Sequence, residues 1–294
     1  MKIVLSRKGM DSDFGGIPSP IIQSQNGNWK FYSVPIPTQN SDTKYSDLSL
    51  FDDFKVSSFL ADIPQKSRRS KFCHLDPDIR KSNISRRPIG WQPNFGQVKS
   101  AQSHLNNFGI GKGDVFLFFG WFRRATFVDG TFQYIKDLDY PNGFHAIYSY
   151  LQIDEIYKPN IQKVPDWLNY HPHVKYKDSY EFNNANNTIY TAKELFEYPE
   201  HFNKNGSASF VFSEDLILTK KGQPNRSLWE LPLQLHPNSG LKLSYHLNEN
   251  RWNVDNNRAI LKTTGRGQEF IFTDIDAKAE KWGIELIKNH TVTE

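Results

Sequence analysis

The chain has 294 residues, 37% hydrophobic and 14% aromatic, with 22 Phe and 13 Tyr, so it can bury a substantial core, and its length allows one large or two smaller domains. A net charge of +4 and a pI near 8.9 permit a polyanionic partner but fall far short of a histone-like excess. No window approaches the roughly 20 apolar residues that cross a bilayer, the opening apolar run is too short for a signal peptide, and a single cysteine, Cys73, excludes an internal disulfide and a cysteine-based zinc site. A soluble, cytoplasmic protein with no membrane partner is expected.

Taken in order, residues 2–6 form a short apolar strand, followed by a loop from Arg7 to Pro20 whose three glycines and two prolines forbid regular structure. Loops launched from rigid strands are where functional side chains tend to sit. After an Asn26-Gly27 turn signal, residues 29–36 read as a second strand. Residues 38–94 lack periodicity and hold a basic cluster of Lys66, Arg68, Arg69, Lys71, Arg80, Lys81, Arg86 and Arg87. This cluster reads equally as a solvated mobile loop or a phosphate-contacting surface. So long an irregular stretch in a compact domain is either functional or partly disordered.

The most legible stretch runs from Phe95 to Tyr157. Val98, Ala101, Leu105 and Phe108 recur at helical spacing, so a helix is expected to begin at Gly96-Gln97 and end at Gly109. A Gly111–Asp114 turn leads into an apolar burst, Val115 to Phe119, stopped by Gly120, and Phe144 to Ile156 supplies a long second strand. Beyond it come a loop-like 161–180, a short strand at 188–190, a helical turn at 192–196 and strands at 210–218 and 270–272. A final helix after Asp274 carries Ile275, Ala279, Trp282 and Leu286 on one apolar face. There is no repeat and no linker that divides domains.

Four groups of residues can carry chemistry. Arg7-Lys8-Gly9-x-Asp11 sets two cations and a carboxylate around a glycine, able to hold a phosphate and place an acid or base; the plain alternative is a surface turn closed by Asp11. In Gly265-Arg266-Gly267-Gln268-Glu269 the glycines let the backbone approach a ligand while the guanidinium forks onto an oxyanion; a structural salt bridge explains the same letters. His74-x-Asp76-Pro77-Asp78 alternates metal-ligand types, but with no second ligand group evident it reads as a turn or helix start, and no metal ligand is assigned. His171-Pro172-His173 reads as loop packing. Finally, Gly96-Gln97 at a helix N-terminus is an anion-site candidate, and Trp121-Phe122-Arg123 could stack a base and grip its phosphate. No phosphate-loop, dinucleotide or nucleophile-elbow motif is present, and Cys73 reads as a small buried residue.

Ser6-Arg7-Lys8-Gly9-x-Asp11-Ser12, His74-Leu75-Asp76-Pro77-Asp78, Phe95-Gly96-Gln97, the run from Gly113 to Arg123, Ser227-Leu228-Trp229-x-Leu231-Pro232 and Gly265 to Phe270 together resemble the nucleotide modification associated domain 3 family, in order over nearly the whole chain. The resemblance implies a bacterial or phage protein linked to DNA base-modification systems, with other modification-system proteins as partners. It carries no established reaction, cofactor or catalytic residue. The Gly-x-Gly-Asp turn, apolar strand and long second strand also look like PUA-like barrels, including ASCH and EVE domains, whose pocket accepts RNA or a flipped base.

These readings converge on a single α+β domain spanning 1–294: a mostly antiparallel, partly closed PUA-like barrel or sheet with flanking helices, its core roughly 95–200. The first strand and the strand after Gly265 are expected to pair. That pairing would gather Arg7, Asp11, Arg266 and Glu269 beside Gln97 and Arg123. Asp11 and Glu269 are then the expected acid and base, and Arg7, Lys8, Gln97, Trp121, Arg123, Arg266 and Gln268 the expected binders of a nucleotide or nucleic acid, DNA ahead of RNA. The cofactor is unassigned. A non-catalytic reader of modified or flipped bases in nucleic acid, centred on Trp121, or a DNA-tethering adaptor using the basic segment, stands as the alternative to an enzyme.

Overall fold

The computed structural model describes residues 1–24, 26–51, 53–64, 70–198, 203–265 and 267–291. Among these residues eleven strands form one mixed sheet, its main path running Lys242–Leu243, Glu269–Thr273, Ile3–Arg7, Val115–Val128, Phe144–Tyr157, Thr188–Ala192, Asn94–Gln97. Most neighbours are antiparallel. Ile3–Arg7 and Ser19–Gln23 instead run parallel to successive parts of the long Val115–Val128 strand. The expected α+β class is therefore met, and the expected pairing of the first strand with the late one is seen, with Leu5 opposite Phe270 and Ser6 opposite Glu269.

Among the described residues no ladder joins the two ends of this path, so the sheet is partly open, as a partly closed sheet and not a closed barrel would be. The sheet curls until its last strand reaches the second through side chains, the Gln97 amide donating to Glu269 Oε1 at 2.7 Å. Strands from both ends of the chain lie within the sheet.

The apolar burst is buried on both faces, as a continuous hydrophobic run in a covered sheet must be. Phe116 and Phe118 turn to one side, against Phe95 at 4.9 and 5.2 Å between ring centroids. Phe119 turns to the other, edge-on to Trp229 of a separate three-stranded sheet at 5.1 Å. The Lys278–His290 helix lies on the first strand because Gly283 has no side chain: a Cβ there would stand 3.0 Å from Ile3 Cδ1.

Several local expectations give way to tertiary context. The strand from Val115 continues through Gly120 to Val128, because Gly120 packs against the Lys8 carbonyl, 2.8 Å from where its Cβ would be. Phe95-Gly96-Gln97 is strand, and the helix covers only Lys99–Asn107. Residues 192–196 make no helical turn. Residues 210–218 hold a short 3-10 helix, Glu214–Leu216, in place of a strand. Ile275 is 96% exposed, off the final helix's apolar face.

The aperiodic segment holds a second core, in which Tyr45, Leu48, Phe59, Cys73 and Leu75 are buried. Of its basic cluster, Lys66, Arg68 and Arg69 lie outside the described residues, as does Arg266. Among the described residues, no helix is long and apolar enough to cross a membrane.

Candidate functional site

Three strand ends meet at one rim of the curled sheet: the close of Ile3–Arg7, the start of Glu269–Thr273 and the close of Asn94–Gln97. Between them opens a cleft of about 460 Å³, walled by Arg7, Lys8, Asp11, His74, Asp76, Gln97, Lys99, His173, Tyr245 and Gln268. That volume falls in the range of small-molecule sites, roughly 300–1,000 Å³.

Lys8 and Gln97 owe their positions to Glu269, whose side chain is fully buried behind them. Its Oε1 accepts from Lys8 Nζ at 2.9 Å and from Gln97 Nε2 at 2.7 Å, while Oε2 is buried without a partner among the described residues. The Lys8 ammonium also sits over the Phe95 ring, 4.4 Å from its centroid. Gly9 makes this approach possible with a φ of 79°, in the left-handed region, and with Ser33 Oγ only 2.9 Å from its missing Cβ. The Lys99–Asn107 helix presents its first turn to the cleft; its N-cap residue, Val98, caps no N–H, and the Lys99 N–H donates to Asn186 Oδ1 at 2.9 Å.

Of the residues expected to converge, Arg7, Lys8, Asp11, Gln97 and Gln268 line the cleft. Arg7 spends its guanidinium on the glycine loop, donating to Gly265 O at 3.0 Å and Gly267 O at 2.8 Å. Asp11 accepts from the N–H groups of Asp13 and Phe14 at 2.9 and 2.8 Å, closing its own turn. Trp121 and Arg123 are not in the cleft wall. The Trp121 indole donates to Asn142 O at 2.8 Å, with Arg226 over its ring at 4.1 Å. Arg123 stacks on Tyr134 at 5.1 Å.

The floor of the cleft holds a group that the residue spacing did not connect. His74 and Asp76 meet His171 and His173, carried at the start of a short helix beginning at Pro172. Asp76 Oδ1 accepts the Gly96 N–H at 2.9 Å. Asp76 Oδ2 lies 3.6 Å from His74 Nε2 and 3.8 Å from His173 Nε2, and Oδ1 lies 3.9 Å from His171 Nε2. These separations exceed hydrogen-bond length. His74 Nε2 and His171 Nε2 are buried with no partner among the described residues. Burial pushes the Asp76 carboxyl up to about 8, with Lys8 and the Gly96 N–H opposing it in part. Burial also holds His74 down to about 3, and His171 and His173 well below the usual imidazole range.

Asp78, grouped with these residues by spacing, points elsewhere. It is fully buried and paired with the two terminal guanidinium nitrogens of Arg87, at 2.5 and 2.7 Å. The signal for the true partner was the second alternating pair, His171-Pro172-His173, which matters only once the fold sets it against His74-x-Asp76.

No curated protein and no solved structure matches the chain. The family model for nucleotide modification associated domain 3 matches residues 2–273, which span every strand of the sheet and every cleft-lining residue. The chain therefore belongs to the nucleotide modification associated domain 3 family.

Proposed function

We propose that the cleft receives a nucleotide or a flipped nucleobase of DNA, and that the chain acts on it within a nucleotide-modification pathway. The observation that carries this reading is the cleft wall itself. A lysine held on a buried carboxylate, a helix start bearing Lys99, and the amides of Gln97 and Gln268 face one nucleotide-sized space. Lys8, Lys99 and the helix N–H groups suit a phosphate. Gln97 and Gln268 can each offer a donor and an acceptor to a base edge.

Asp11, one of the carboxylates that line the cleft, serves as acid or base. Glu269, buried behind Lys8, acts through it as a positioning residue. The reader alternative leans on Trp121, whose N–H and one ring face are already engaged.

Titration calorimetry with mononucleotides and short modified and unmodified DNA strands tests the reading. Lys8→Met is expected to weaken binding about tenfold, the worth of one charge-assisted hydrogen bond, and Trp121→Ala to leave it unchanged. Binding that ignores Lys8 and collapses with Trp121→Ala would replace this reading with the reader. Binding that ignores base identity and falls steeply with salt would replace it with the adaptor.

A further inference from the structure

We propose that His74 Nε2, Asp76 Oδ2 and His173 Nε2 bind one divalent first-row transition-metal ion at the floor of the cleft, with His171 donating to the ion's outer ligand. The site belongs to the cleft assigned above to a nucleotide, but the argument for the ion stands on these side chains alone.

One ligand atom of each of His74, Asp76 and His173 lies within 4.8 Å of the other two. Ligands about 2.0–2.1 Å from a tetrahedral ion sit about 3.3–3.4 Å apart. The separations of 3.6 and 3.8 Å from Asp76 Oδ2 are therefore too long for hydrogen bonds and a few tenths of an ångström from a coordination shell. All three side chains are at least nine-tenths buried. The His74 Nε2 lone pair has no other partner among the described residues.

The surroundings set each atom's role. The Gly96 N–H occupies Asp76 Oδ1 and leaves Oδ2 to face the imidazoles. His173 Nδ1 meets Asn187 Oδ1 at 2.6 Å, so the proton sits on Nδ1 and the Nε2 lone pair is free; this is the outer-shell support a metal-bound histidine needs. His171 differs: its Nδ1 accepts the His173 N–H at 3.2 Å, which places its proton on Nε2. It is therefore a donor beside the site and not a ligand. Gly96 completes the cradle, since a Cβ there would stand 2.8 Å from His173 Nε2 and 2.8 Å from His171 Cε1.

Two imidazoles and one carboxylate favour zinc, iron(II) or manganese over magnesium or calcium. Three protein ligands leave a coordination position, and since all three residues line the cleft, that position faces it.

The full chain is stripped with a chelator, then offered Zn²⁺, Mn²⁺ or, without oxygen, Fe²⁺, each alone and with no nucleotide present. Bound metal is counted by mass spectrometry after gel filtration. About one ion per chain is expected for at least one metal. Asp76→Asn and His173→Gln should lose it, Asn187→Ala should weaken it about 10–100-fold, and His171→Gln should keep it. Circular dichroism checks that each variant is folded; if His173→Gln is not, His74→Gln takes its place. Folded wild-type protein that retains none of the three metals, or variants that bind as well as wild type, would overturn the proposal. Because no nucleotide enters this measurement, it can fail while nucleotide binding stands, and the reverse.

Discussion

Gly96 shows how much one missing side chain can decide. Its N–H orients Asp76, and its bare Cα lets His171 and His173 stand against the strand. Gly96→Ala is predicted to push the imidazoles off the Asp76 carboxylate, destabilising the fold by about 1–3 kcal/mol as an overpacked site and abolishing metal retention. Urea unfolding and metal counting on the same sample check both halves. Intact metal binding in the variant would mean that the rings have room the structure does not give them.

Glu269 poses the second residue-scale question. As a positioning residue it keeps Lys8 and Gln97 in place. Glu269→Gln should therefore raise KM or Kd for a nucleotide and cost about 3 kcal/mol, because a buried lysine loses its counter-charge. A direct proton-transfer role would lower kcat and leave affinity alone, so steady-state kinetics beside calorimetry separates the two roles.

At the scale of elements, the residues that announced themselves were those with local causes. The apolar run at Val115–Phe119, the strand from Phe144 and the charged glycine loop before Glu269 were legible because burial and turn chemistry are written in neighbouring letters. Gly120 misled because its reason is the Lys8 carbonyl, just past the first strand, which no local pattern carries. His74-x-Asp76 was visible as alternating ligand types, yet its partner lies on a short helix far along the chain. Asp78 was drawn into the motif by spacing and removed by a tertiary contact.

That contact predicts its own consequence. Asp78 accepts from Arg87, Trp91 and Tyr170, so the segments around residues 78, 87 and 170 are tied at one buried carboxylate. Arg87→Ala should cost about 3–5 kcal/mol, the usual result of stranding one partner of a buried ion pair. The midpoint of urea unfolding measures it. A loss below about 1 kcal/mol, the range of exposed pairs, would show the pair to be solvated.

For the whole molecule, the junction between the main sheet and the three-stranded sheet sets how stability responds to pH. His145 is buried there, and its Nδ1 accepts the Trp229 indole N–H at 3.0 Å, a bond only the neutral ring can make through that atom. Burial first, then Arg226 and Arg7, holds its pKa down to about 3. Unfolded, the ring titrates near its ordinary value of 6.5, so between these values the unfolded chain binds the extra proton. Stability from this group is complete above pH 6.5 and is lost as pH falls toward 3.

Each pH unit in that window removes about 1.4 kcal/mol for one such histidine. His145→Asn replaces the ring with an amide oxygen that accepts from the indole and does not titrate. Its unfolding free energy should therefore fall less steeply from pH 6 to pH 4, by about that amount per unit, whatever the cavity costs at pH 7. Both proteins are compared after metal stripping, so that the cleft histidines contribute equally to each slope. Equal slopes would mean that His145 is already protonated in the fold, and that the Trp229 indole does not hold the two sheets together through it.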